Sequence, residues 1–247
     1  MRTVKLITFM TFTVTAAVLY LIVAAILFPW YKKTGPPLLQ LYSRLALKIL
    51  RVHIDSADRI PVEAAKNRGI ILTANHVSLL DILLMSALYR TIYLSKEEVR
   101  HYPLIGLVAA LIGIIFLKRE SAFDGHRVIK TIARQVNGRI ITIFPQGTTG
   151  AITDRLPFKR GIFKAVEINP DAILLPVTIR YKEDSEIAWR RHQILIENLK
   201  AICAQKKIHV RVTLHEPMSI KDYTDKTVSE ICAVAQEKVL SPLWAEY

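Results

Sequence analysis

The chain has 247 residues, with 34 Lys and Arg against 21 Asp and Glu, a formal charge of +13, and is 51% hydrophobic. That length suits one domain, alone or with an appendage, and the apolar content excludes a disordered chain. Cys203 and Cys232 are the only cysteines, which excludes a disulfide scaffold, and a mean hydropathy of +0.28 beside so much positive charge points to a membrane.

The charge lies mostly at the front. Arg2, Lys5, Lys32, Lys33, Arg44, Lys48 and Arg51 all precede the first acidic residue, Asp55. Between them, Leu6–Phe28 is 23 residues without a charge; as a helix it is about 35 Å long, enough for a hydrocarbon core of about 30 Å. Trp30 and Tyr31, then Lys32 and Lys33, follow in the order expected at a membrane interface. A cleaved signal peptide has the same basic start, but its apolar region runs only about 7–15 residues before a small-residue site. The expectation is a retained anchor, with the body on the cytoplasmic side, where more Lys and Arg lie. After Gly35-Pro36-Pro37 a second helix is expected over Leu38–Leu50, with Arg44, Lys48 and Arg51 on one face and Leu38, Leu41, Leu45 and Ile49 on the other. Such a helix either lies in the interface with its basic face toward phosphates or packs on the body as a surface helix. Basic chains also bind nucleic acid, but no zinc-finger spacing or aromatic RNP-like run is present, so no nucleic-acid partner is expected.

From Asp55 onward short apolar runs alternate with helical patterns. Gly69–Asn75 reads as a buried strand, Ser78–Tyr89 as an apolar helix and Thr91–Lys96 as a second strand. A helical stretch ends near Gly113, followed by a third strand over Ile114–Arg119 and an amphipathic helix over Asp124–Asn137, closed by Gly138. Arg139–Phe144, Ala172–Arg180 and Ile208–His215 read as three more strands and Thr227–Val239 as a last helix. The alternation predicts an α/β fold with a largely parallel central sheet and flanking helices, preceded by an N-terminal membrane helix. Residues 1–54 are expected to form the anchor and basic helix, and 55–247 one α/β domain.

Three polar clusters fall at strand ends, where open α/β sheets hold their ligands: Asn75-His76-Val77-Ser78-Leu79-Leu80-Asp81, Gly113 to Arg119, and Phe144-Pro145-Gln146-Gly147-Thr148-Thr149. The spacing of His76 and Asp81 alone is weak, since His53 and Asp58 share it. On one helix those two positions would stand about 140° apart, so His76 must sit in the turn before the helix for Asp81 to reach its ring. Without chemistry, Ser78 as N-cap and Asp81 three residues on make a capping box, and Gly147 serves a plain turn. The seven His and the carboxylates form no ligand-spaced pair, so no metal is expected.

Taken together and in order, NHxxxxD, G-x-x-F-x-x-R, FPxGT and the proline-bearing strand Ala172-ILLPV-177 resemble the glycerolipid acyltransferases, in particular the bacterial 1-acyl-glycerol-3-phosphate acyltransferase family. The resemblance runs over about Gly69–Arg180. It implies that His76 is a general base, held in its tautomer by Asp81, which takes the proton of an acceptor hydroxyl as that oxygen attacks an acyl thioester. No acyl-enzyme is implied, so Ser78 is read as a cap. It further implies that Asn75, Arg119, Phe144, Pro145, Gln146, Gly147, Thr148, Thr149 and Lys159 bind substrate. Within that set Arg119 grips the acceptor phosphate, and the Gly147–Thr148 amides face an oxyanion or phosphate. The apolar run Leu104–Leu117, too short to span, would be a core element lining an acyl chain. No cofactor is implied beyond acyl-CoA or acyl-carrier protein as co-substrate. Lys118, Arg119, Arg127, Lys130, Arg134 and Arg139 would attract an acidic carrier protein or the CoA phosphates.

Two positions depart from the family's FPEGTR: Gln146 stands for the acid and Thr149 for the Arg. Arg155, Lys159 and Arg160 follow in the next loop as replacements for the lost cation. A Thr at that place also occurs in the lyso-ornithine lipid acyltransferase branch, and Arg180-Tyr181 and Ala188-Trp189 are similar to it. The resemblance therefore implies an acyltransferase at the bacterial inner membrane, with its catalytic domain on the cytoplasmic side. Its expected partners are membrane lipids, an acyl thioester donor and a lysolipid acceptor: 1-acyl-glycerol-3-phosphate or, alternatively, lyso-ornithine lipid. A non-catalytic lipid-binding protein on the same scaffold is the alternative of another class.

Overall fold

A computed structural model describes residues 2–26, 31–60, 69–117 and 122–244. Two helices lead, α1 (Arg2–Ile26) and α2 (Tyr31–Ile49). The sheet follows from β1 (Val52–Ala57), β2 (Ile70–Ala74), β3 (Thr91–Lys96), β4 (Ile115–Leu117), β5 (Ile140–Ile143), β6 (Ile173–Tyr181), β7 (Ile208–Leu214) and the short β8 (Met218–Ser219). Between and after the strands run α3 (Leu80–Leu88), α4 (Ile105–Ile112), α5 (Ala122–Gln135), α6 (Lys164–Ile168), α7 (Asp184–Ile187), α8 (Leu195–Ala204) and α9 (Val228–Trp244).

The strand order is β1-β7-β6-β2-β5-β3-β4, with β8 added on β6. Every pairing is parallel except β6–β7 and β6–β8, so the expected largely parallel α/β sheet is present as a mixed sheet. The central strands are buried on both faces, which is why Ile70-Ile71-Leu72-Thr73-Ala74 reads as a continuous apolar run without alternation. Because β6, β2 and β5 are parallel neighbours, their C-terminal ends open on one rim. From that rim the chain leaves β2 at Asn75, β5 at Phe144 and β6 after Tyr181.

Three expectations about the leading and apolar segments change. The second helix starts at Tyr31, so Pro36 and Pro37 lie inside it and do not precede it. Gly35 there is a close-approach point: a Cβ would come 3.2 Å from Tyr20 Oη and 3.3 Å from Ile112 Cα. The buried face of α2 is Ser43, Ala46 and Leu47, while Leu41 and Leu45 stay exposed. Arg44 is exposed, and its Nε donates to Ala87 O at 3.0 Å, capping the C-terminus of α3 together with Gln40. The run expected wholly in the core also turns outward: Leu104, Ile105 and Leu107 are exposed, and only the Gly106, Ala109 and Ile112 side of α4 is buried. Trp30, expected at the interface, lies outside the described residues, as do Lys118 and Arg119.

β1, α6, α7, α8 and β8 have no counterpart among the expected elements. β1 pairs in parallel with β7, Val52 opposite Ile208, so the boundary expected after residue 54 falls inside a strand of the sheet.

α1 is long and apolar enough to cross a membrane. One side of it packs on α2, α4 and α8. At its start Lys5 Nζ donates to Gln205 O at 3.0 Å; further on, Phe12 stacks on Tyr42 with centroids 5.4 Å apart, and Tyr20 lies against Gly35. Its other side carries Val4, Ile7, Met10, Val14, Val18, Leu19, Ile22 and Ile26, all exposed.

Candidate active site

The turn from β2 into α3 carries the centre of the site. His76 Nδ1 and Asp81 Oδ2 are 2.7 Å apart, with the Asp81 side chain fully buried and that of His76 15% exposed. Asp81 Oδ2 also accepts the Val77 and Ser78 amides at 2.6 and 2.9 Å. A carboxylate holding three donors at a helix start favours the Nδ1–H tautomer of His76, which leaves Nε2 as a lone-pair acceptor with no protein partner among the described residues. Geometry explains the spacing: α3 begins only at Leu80, so His76 precedes the helix and Asp81 reaches back to it from the first turn.

Ser78 is not the N-cap. Its hydroxyl donates to Asn198 Oδ1 at 3.2 Å, and that same oxygen accepts the Leu79 amide at 3.3 Å. The start of α3 is thus capped by Asp81 and by a side chain of α8 that is 120 residues away in the chain. No local pattern signals Asn198.

The turn after β5 closes over the imidazole. Phe144 stacks on His76 with centroids 4.0 Å apart and planes 12° from parallel, while Pro145 is buried behind it. Gln146 bridges two segments: its Oε1 accepts the His76 amide at 2.6 Å and its Nε2 donates to Leu156 O at 3.1 Å. An acid here would keep the first bond and lose the second, so Gln146 serves this loop as a structural clip. Asn75 is also committed, since its amide makes a reciprocal pair with the Ile179 backbone at 2.8 and 2.7 Å and so continues the β2–β6 ladder.

Gly147, at φ 70°, donates its amide to Phe144 O at 3.0 Å. Of the two amides expected to face an oxyanion, only that of Thr148 remains without a partner among the described residues. The Thr148 and Thr149 side chains are half-buried. Lys159 lies across this turn, its Nζ 3.1 Å from where a Cβ on Gly147 would be. Arg155 instead packs over the Trp244 ring, and Arg160 points to Ser229. Of the three replacement cations, Lys159 is the one at the turn. A small cavity beside His76 and Gln146 is walled by Leu156, Leu240, Leu243 and Trp244.

Beneath the dyad lies a buried polar layer that the motifs did not reveal. Tyr181 ends β6 and Asp184 opens α7; both are buried. Asp184 Oδ2 accepts the Ile152 amide at 2.9 Å. Burial, then the Asp81, Asp154 and Glu186 charges, push the Asp184 pKa up. The one signal in the sequence is a polar end to an otherwise apolar strand.

Comparison with known proteins bears on the family and the fold. A family model described as Acyltransferase matches residues 51–180. A 1-acyl-sn-glycerol-3-phosphate acyltransferase of Neisseria meningitidis is 30% identical over 149 residues, 58% of this chain and 58% of that one. The chain therefore spans little more than half the length of that relative. A lyso-ornithine lipid O-acyltransferase of Pseudomonas aeruginosa is 31% identical over 187 residues, 74% of this chain and 71% of that one. In fold, the crystal structure of the 1-acyl-sn-glycerophosphate (LPA) acyltransferase PlsC from Thermotoga maritima superposes with a TM-score of 0.67 at 19% identity, covering 99% of this chain and 97% of that one.

Proposed function

We propose, because this chain belongs to the acyltransferase family, that it moves a fatty acyl group from acyl-CoA or acyl-carrier protein to the free hydroxyl of a lysolipid, with 1-acyl-glycerol-3-phosphate as the acceptor and phosphatidic acid as the product. The observation that carries the reading is the 2.7 Å contact between His76 and a fully buried Asp81. His76 Nε2 takes the acceptor's proton as the hydroxyl oxygen attacks the thioester carbonyl. Asp81 offsets the charge that develops on the imidazolium. The C–O bond forms, the C–S bond breaks as the tetrahedral intermediate collapses, and the imidazolium returns its proton to the departing sulfur. No covalent enzyme intermediate is needed. The Thr148 amide is the donor left for the oxyanion, and Lys159 replaces the missing Arg as the cation for the acceptor phosphate.

A second acceptor, lyso-ornithine lipid, is favoured by Thr149 in the Arg position and by the longer match to the Pseudomonas relative, 74% of this chain against 58%. Full-length protein with a radiolabelled acyl thioester and each lysolipid separates the two. Lys159→Ala raises KM for the phosphate-bearing acceptor by about tenfold if Lys159 holds the phosphate. No transfer to any acceptor, or transfer untouched by His76→Ala, leaves only a lipid-binding role for this scaffold.

The protein sits on the cytoplasmic side of the inner membrane. α1 is fixed to the body at Lys5 and again at Tyr20, positions about 22 Å apart at the helical rise. A course across the bilayer would drag the body in with it, so α1 lies in one leaflet with its outward apolar row submerged.

A further inference from the structure

We infer that Tyr181 is a positioning residue of the dyad, its hydroxyl donating to Asp81 Oδ1, the carboxylate oxygen that His76 does not use. Asp81 is asymmetric: Oδ2 takes three donors, while the buried Oδ1 completes no hydrogen bond among the described residues. Tyr181 Oη and Asp184 Oδ1 are buried in the same state. Three such atoms in one place are unusual, because buried polar groups are nearly always paired. The phenol feels the Asp81 carboxylate: burial, then the charges of Asp81 and Asp184, hold its pKa well above the usual range. It therefore keeps its single proton across the working range. A bond to Asp81 Oδ1 satisfies two of the three orphaned atoms at once and gives that carboxylate four donors, locking the plane in which it meets His76. The titratable groups facing the cluster are His76, Asp81, Asp184, the buried Tyr93 phenol, which also feels the Asp81 charge, and, around Asp184, Asp154 and Glu186.

The kinetic consequence rests on the transfer reading above; the electrostatic one does not. In Tyr181→Phe the Asp81 charge is less neutralised and holds the imidazolium better. The His76 ring, followed by NMR in histidine-labelled full-length protein, then titrates higher by about half a unit or more. The acid limb of kcat/KM moves up with it, and kcat falls about tenfold with both KM values held within about twofold. Replacement of Tyr181 by 3-fluorotyrosine, a stronger donor of nearly the same shape, moves His76 the other way and keeps the experiment decisive if the Phe variant misfolds. A His76 titration that neither replacement moves overturns the inference. If no protein form transfers acyl groups, the kinetic arm falls with the proposed function, and the NMR arm still decides the Tyr181 bond.

Discussion

The rim of the sheet and the outer face of α1 both invert the usual placing of side chains, in opposite senses. At the rim Asp81, Tyr181 and Asp184 are polar and buried; on α1 Val4, Ile7, Val14 and Ile22 are apolar and exposed, and α4, which touches α1, adds Leu104, Ile105 and Leu107. A buried carboxylate is tolerated only when donors surround it, so the rim is dense with bonds converging on Asp81. An exposed apolar row needs no partners within the chain and instead calls for something outside to cover it. Burial statistics alone would flag both regions as faults. The difference in how each is satisfied separates a site for chemistry from a surface for lipid.

Substitutions sharpen the contrast. His76→Ala should lower acyl transfer by about 10²–10⁴-fold while leaving liposome binding at the wild-type level, as read by labelled transfer and by co-sedimentation. Val14→Glu with Val18→Glu should do the reverse, reducing partition into anionic liposomes by at least about tenfold. Its effect on stability should stay near 0.5 kcal/mol, because both sites are already exposed. Equal behaviour of the two variants in both assays would abolish the distinction. Gln146→Ala should destabilise by about 2 kcal/mol, since it leaves the His76 amide unpaired, and Gln146→Glu by about 1 kcal/mol, since only the bond to Leu156 is lost; chemical denaturation reads both.

The smallest effect is in the pH dependence. The Asp184 carboxyl has a raised pKa in the folded protein. Its contribution is complete below the ordinary carboxylate pKa and is lost as pH rises through the folded value. Asp184→Asn keeps an acceptor for Ile152 and removes the titration, so its Tm relative to wild type should climb from pH 4 upward and then level off.

The dyad was legible because its parts are contiguous: seven residues hold His76, Asp81 and the turn between them, and the Phe144–Thr149 motif is equally compact. Strand positions from β2 to β7 were legible for the same local reason, as apolar runs bounded by turn residues. What stayed hidden comes from far along the chain. Asn198 caps α3 from another helix, Tyr181 and Asp81 come to the same rim only through the β2–β6 pairing, and β1 is an edge strand whose partner lies more than 150 residues on. Gln146 was legible as a departure, but its use as a clip depends on where Leu156 comes to rest. The apolar residues of α4 gave no sign of which side would face out, since nearly all of them are apolar.

The segment from Asn75 to Ser78 leaves little backbone unbound. Asn75 is locked to Ile179, the His76 amide to Gln146 and the Val77 and Ser78 amides to Asp81, while the His76 and Val77 carbonyls accept from Gly150 and Trp189. No hinge survives in such a stretch. Its amides should exchange with deuterated solvent only when the whole sheet opens, and the His76 ring is then already set in place.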